Sequence, residues 1–285
     1  MTIVWTGLAL GAVYALVAIG YNIVFVSSHT FNFAQAQLMM VGTFVAYTGL
    51  VTLRLPAVVV FVMAVLAVTA LAAIEEIVAV RPVADHQSQL VTTLGVATLL
   101  NGATQLIWGT EPLSVPFFGS QDPITVLGGR TYPVEIALLA LAVGLVIALG
   151  YFTRNTMTGL ALMGISEDRE AAMLRGVNVR RLALGAFAAS GALAGAAGLF
   201  VGPKTFAVAT LGAALAIKGF VALAIGGFGS LPGALVGGLT VGLVESFTAL
   251  EFGAQYSNIA VFVVLIVILM VKPAGLFGAV RERVV

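Results

Sequence analysis

The chain has 285 residues; 60% are hydrophobic, 9% are charged, the formal net charge is +1 and the mean hydropathy is +1.11. So few polar groups cannot cover a water-soluble fold of this size, which leaves a polytopic membrane protein. The near-neutral balance without a basic cluster gives nucleic acid no footprint, and the lack of cysteine excludes disulfides, thiol catalysis and thiolate metal sites.

The chain opens on "MTIVWTGLALG", with no Lys or Arg ahead of its apolar run, so this stretch reads as a first span and not as a cleavable leader. Nine runs qualify as spans: 2–26, 33–53, 56–80, 90–108, 133–152, 181–202, 207–227, 232–250 and 257–271. Helix is expected throughout, because lipid cannot satisfy backbone polar groups and no short alternating barrel pattern occurs. The expectation is an all-α transmembrane bundle of about 8–9 spans, one domain over 1–285, with room for a re-entrant segment in either half. The 33 glycines suit helices packed backbone to backbone, as in the small-x-x-x-small pairs Gly7/Gly11, Gly191/Gly195, Gly233/Gly237 and Gly238/Gly242.

Two connections are long. The first, 109–132, is rich in Pro and Gly with only Arg130 as a cation, and is expected outside. The second, 153–180, leads into the cluster Arg154, Arg169, Arg175, Arg180 and Arg181 and is expected inside, as is the tail with Lys272, Arg281 and Arg283. Counting spans then puts the N-terminus outside. "FNFAQAQLMMVGTFVA" (31–46) and "KTFAVATLGAALAIKGFVA" (204–222) both open on an aromatic and polar turn and continue as small-residue helices. They are either an inverted repeat or a chance likeness of two Ala/Gly-rich stretches.

Seven of the eighteen residues in "GISEDREAAMLRGVNVRR" (164–181) are charged. Ser166 suits an N-cap, Glu167 and Asp168 the first turn, and Gly176 the position just past Arg175, which predicts a helix over 167–175. Such a helix is too short to stand alone, and its Glu167 and Glu170 repel. Composition leaves two readings open: a docking helix for another protein, or a solvated loop.

Polar residues inside the spans form a second set of candidates. Lys218 falls mid-span, where a cation costs at least ~2.5–3.5 kcal/mol unless paired, and Glu245 of the next span is within reach. They read as pathway charges or as a structural pair. Asn32, Gln35 and Gln37 offer neutral amides to a polar solute, or cap the first turn of their span. Asn101 and Gln105 share a face with Thr98 and serve either interhelical hydrogen bonding or the pathway. Tyr14 lies on the Gly7/Gly11 face and joins the pathway set. His29 and His86 read as solvated loop residues.

Four ordered stretches resemble one family. "TGLALMGISEDREAAMLRGVNVRRLALGAFAASGALAGAAG" (158–198) resembles the cytoplasmic coupling loop and following helix of ABC-transporter permeases of the branched-chain amino acid type. "GLALGAVYALVAIGYNIVF" (7–25) with "FNFAQAQLMMVGTFVAY" (31–47), "ALAIGGFGSLPGALVGGLTVGLVES" (222–246) and "VLIVILMVKPAGLFG" (264–278) resemble the other family motifs in order. One motif departs: the family has His-Gly-Glu after Asn-Phe-Ala, and this chain has Gln35-Ala36-Gln37.

The resemblance implies a permease subunit of an ATP-driven importer in the bacterial inner membrane, moving a small polar solute by alternating access. That solute would be a branched-chain or other amino acid, an amide or a urea-like molecule. Its implied partners are a second homologous permease, two ATPases and a solute-binding protein outside. ATP and Mg would sit on the ATPases; this chain would bind no cofactor and be no enzyme, and it has no G-x-x-x-x-G-K-[ST]. Ser166, Glu167, Asp168, Arg169, Glu170, Arg175 and Gly176 would then transmit ATPase closure. The alternative is a secondary transporter or channel working without ATPases, for which intramembrane acids are few: Glu245, with Glu75, Glu76 and Glu135 near span ends.

Overall fold

A computed structural model describes residues 1–83, 85–126 and 128–278, apart from the side chain of His86. The tail cations Arg281 and Arg283, and the expected solvation of the His86 ring, lie outside what is described.

Every expected span is a helix. In order they are α1 (Thr2–Ser28), α2 (Gln35–Tyr47), α3 (Ala57–Glu75), α4 (His86–Trp108), α5 (Pro133–Asn155), α6 (Met157–Glu167), α7 (Arg169–Leu174), α8 (Val179–Thr205), α9 (Leu211–Gly226), α10 (Leu231–Glu251) and α11 (Ser257–Val271). Single π turns extend α2 and α3. Among the described residues seven helices are long and apolar enough to cross a membrane; α9 is shorter, and α2 is not among the seven. The expected count of 8–9 spans thus resolves into seven long helices and two short ones. The loop 109–132 holds a small hairpin, β1 (Ile124–Val126) with β2 (Gly129–Thr131) antiparallel and Thr125 opposite Arg130.

The bundle has two ends. At one, the hairpin meets the chain start: Trp5 Nε1 donates to the Val126 carbonyl (3.2 Å) and the Arg130 N–H to Thr2 Oγ1 (3.2 Å). At the other, near the island, the Gly229 N–H donates to Asn22 Oδ1 (2.9 Å). There the segment after α11 folds over the α9–α10 turn, Leu276 and Phe277 N–H donating to the Ile225 and Gly226 carbonyls. The two C-terminal motifs therefore hold each other. Connections alternate between the ends as the span count requires.

The two halves follow one plan. Each starts with a 27-residue helix, α1 or α8, and leaves it through a residue in the left-handed region, His29 (φ 54°) or Phe206 (φ 62°). Each chain segment then turns back into the bundle before a short helix starts. Gln35, first in α2, lies against Gly20, eight residues or about 12 Å from the end of α1. The Ala209 carbonyl, just ahead of α9, accepts from Asn101 Nδ2 (2.9 Å), about 10 Å inside the end of α4. The partners cross over: α1 packs on α10 and α9, and α8 on α3 and α2. Small residues permit this. A Cβ on Gly11 would meet the Gly238 carbonyl at 2.8 Å, and one on Gly191 the Val68 carbonyl at 2.8 Å, so in each seam backbone lies on backbone. The helices that follow the openings of 31–46 and 204–222 start from opposite ends of the bundle, the arrangement that an inverted repeat requires.

Candidate coupling surface and intramembrane polar site

Three helices bring Tyr14, Lys218 and Glu245 together. Lys218 Nζ forms an ion pair with Glu245 Oε1, and Tyr14 donates from its hydroxyl to Glu245 Oε2 (2.6 Å). Lys218 Nζ also lies 3.3 Å from the Tyr14 hydroxyl and 5.4 Å from its ring centroid, within cation–π range. Both carboxylate oxygens are engaged, so the acid offsets the cation as the intramembrane cost of Lys218 demands. The pair is not sealed: the side chains of Lys218 and Glu245 remain 20% and 17% exposed.

The amides of α2 behave differently. Gln35 is fully buried; its Nε2 donates to the Ser190 carbonyl (3.3 Å), and Ser190 Oγ donates to its Oε1. Both ends of that amide are committed to α8. Asn32 donates from Nδ2 to Glu75 Oε2 (3.0 Å) and accepts from the Ala34 N–H (2.8 Å), so it ties the turned-back segment to α3. The first residue before α2 is Ala34, so Asn32 shapes the turn and does not cap the helix in the expected position. Gln37 is buried against Gly212 of α9, and its Oε1 has no hydrogen-bond partner among the described residues. Gln105 is exposed and donates to Asn101 Oδ1, while Asn101 itself holds the segment ahead of α9. His29, expected to be solvated, is half-buried with its ring edge-on to Phe25.

Two ion pairs escaped the sequence reading, Arg81–Glu76 at the end of α3 (2.7 Å) and one that joins distant helices. Lys204, at the end of α8, pairs with Glu135 of α5. Glu135 Oε2 also accepts from Thr131 Oγ1 (2.8 Å) and the Tyr132 N–H (3.2 Å). Acid and lysine are 69 positions apart, and only the acid's place in the first turn of α5 marked it. Three attractive contacts hold its carboxylate and tie the hairpin strand β2 to α8.

The island folds as two helices, not one. α6 runs through Glu167, so Ser166 is inside it and its Oγ turns back to the Met163 carbonyl (2.7 Å). The break falls at Asp168, whose Oδ1 accepts from the Glu170 and Ala171 N–H groups (2.9 and 3.0 Å). Asp168 is therefore the cap assigned to Ser166 from sequence. Gly176, at φ 85°, ends the unit where expected, with the Gly176 and Val177 N–H groups closing back on the Met173 and Ala172 carbonyls. The step between α6 and α7 has a small core of Ile165, Ala172 and Val179. Its outer face is unsupported: Leu174 is 90% exposed, beside exposed Arg169, Glu170 and Arg175. Glu167 and Asp168 are exposed as well.

Residues 3–271 match the family model described as branched-chain amino acid transport system / permease component. The high-affinity branched-chain amino acid transport system permease protein LivH of Salmonella typhimurium is 29% identical, covering 96% of this chain and 94% of that protein. BraD of Pseudomonas aeruginosa, of the same description, is 29% identical over 95% and 94% of the two chains. The ribose import permease protein RbsC of Haemophilus influenzae is 24% identical over 90% and 80%. No solved structure matches.

Proposed function

The chain belongs to the branched-chain amino acid transport permease family, and from that premise we propose that it is the membrane subunit of an ATP-driven importer for a small polar solute. In this reading the island end faces the cytoplasm of a bacterial inner membrane and the hairpin end faces outward. A second homologous permease completes the pathway, a solute-binding protein delivers cargo to the hairpin end, and two ATPases holding ATP and Mg dock at the island. The solute is an amino acid, amide or urea-like molecule. The relatives named for branched-chain amino acids and for ribose together leave its side-group chemistry open.

The observation that carries the reading is the α6–α7 step. It is a capped, two-helix projection whose core is too small to support it and whose apolar and charged outer residues have nothing to rest on. A surface of that kind fits a groove on another subunit, and movement of that subunit would reach α5 and α8 through it. The triad of Tyr14, Lys218 and Glu245 is the polar site that the solute meets on its way, and its partial exposure supports that role.

Reversing the charges with Glu167→Lys and Asp168→Lys together tests coupling. ATP-driven uptake should fall at least tenfold while the complex still assembles, a loss of about 1.4 kcal/mol or more of coupling. Asp168→Asn, which keeps a cap acceptor and neutralises one charge without reversing it, should leave local stability nearly unchanged and spare most uptake. Wild-type uptake in the double variant would sink the coupling role. Solute flux in proteoliposomes without ATPases would install the channel or carrier reading in its place.

A further inference from the structure

A chamber of about 1180 Å³ lies at the island end, between α5 and the core, bounded also by α1, α6, α8 and the α9–α10 turn. It is larger than the ~300–1,000 Å³ of most small-molecule pockets. Its walls are mainly apolar, with Val146, Ile147 and Phe152 on one side and Ile23 and Leu182 on the other. Gly150 and Gly185 border it, and a Cβ built on either meets nothing within 4 Å. Among the described residues no Asp or Glu lines it, whereas Arg154, exposed in the last turn of α5, does. Arg154 has no ion pair among the described residues. Asn22 also borders the chamber. It is fully buried, its Oδ1 is taken by the Gly229 N–H, and its Nδ2 has no partner among the described residues.

An apolar space at the end of membrane spans lies at leaflet depth. Water gains little from such walls, and an acyl chain fits them. A lone guanidinium at the rim suits a phosphate, which it can bind through two parallel hydrogen bonds. The spare Asn22 amide adds a buried donor for an ester oxygen. We propose that an anionic phospholipid from the leaflet at the island end lodges an acyl chain in this chamber with its phosphate on Arg154. Thr158, Leu162 and Met163 of α6 border the same space, so the lipid braces α6 against the spans.

The test uses the chain purified from its native membrane with the subunits that accompany it, exchanged into nanodiscs of mixed phosphatidylglycerol and phosphatidylcholine and weighed by native mass spectrometry. The wild type should retain one phospholipid per chain, with a roughly tenfold preference for phosphatidylglycerol. Arg154→Gln, at an exposed position that leaves the fold intact, should abolish the preference while keeping a lipid. Gly150→Leu with Gly185→Leu, which the open space at both positions admits, should displace it. Equal retention of the two lipids by the wild type, or an unchanged preference in Arg154→Gln, would overturn the headgroup assignment. Retention of no lipid by the wild type would overturn the proposal whole.

Discussion

Gln35 and Lys218 are both polar residues set among apolar helices, and the fold uses them in opposite ways. Gln35 has no exposure, no charge and an amide bonded at both ends to Ser190. Lys218 is charged, paired across two helices and a fifth exposed. A neutral group can be satisfied by one neighbour and sealed. A charge needs an opposite charge, and an open pair can still exchange partners with something from outside. Polarity alone does not mark a pathway residue inside a membrane; in the proposed function, residual exposure together with an exchangeable partner is the mark.

The sharpest way to break this contrast is Glu245→Ala. It leaves Lys218 without its counter-charge and should lower stability by about 3–5 kcal/mol, read as thermal unfolding of the detergent-purified chain. Lys218→Met with Glu245→Gln removes both charges, so most stability should return while uptake stays lost. A double variant that transports normally would reduce the pair to a structural bolt. Ser190→Ala comes next: it strands Gln35 Oε1 and should cost about 1–3 kcal/mol, with the ranking of transported solutes unchanged. A changed solute ranking there would move Gln35 into the pathway after all. Tyr14→Phe should have the smallest effect, about 1 kcal/mol, because Glu245 keeps Lys218 as a partner. Its signature should be a weaker apparent affinity in uptake more than a lower thermal midpoint.

Much of the fold was legible because each long span satisfies its own backbone and announces itself by composition alone. The short helices α2 and α9 were harder. Apolar residues such as Phe206, Ala207 and Val208 continue through the turned-back segment, so hydropathy cannot show where helix begins; the left-handed turns at His29 and Phe206 decide that. The cap at Asp168 was a near miss for a physical reason. Ser166 and Asp168 are both good caps, and the choice depends on how far α6 runs, which is set by packing of Ile165 on Ala172 and Val179. The Lys218–Glu245 pair was foreseeable because two charges stand out in apolar spans. Lys204–Glu135 was not, since both sit near helix ends where charges are common and nothing local joins them.

The crossed packing of the two halves also has a consequence for biosynthesis. The face of α1 that bears Gly7 and Gly11 finds its partner only when Gly238 and Gly242 of α10 arrive. Roughly 230 residues separate those glycines, and at about 5–20 residues per second a ribosome needs on the order of 10–45 s to supply them. For that interval a strip of exposed backbone on the first helix lies open in the bilayer, beside the equally small-faced α8. The nascent chain must therefore be kept from closing α1 on the wrong seam until its last third has been inserted.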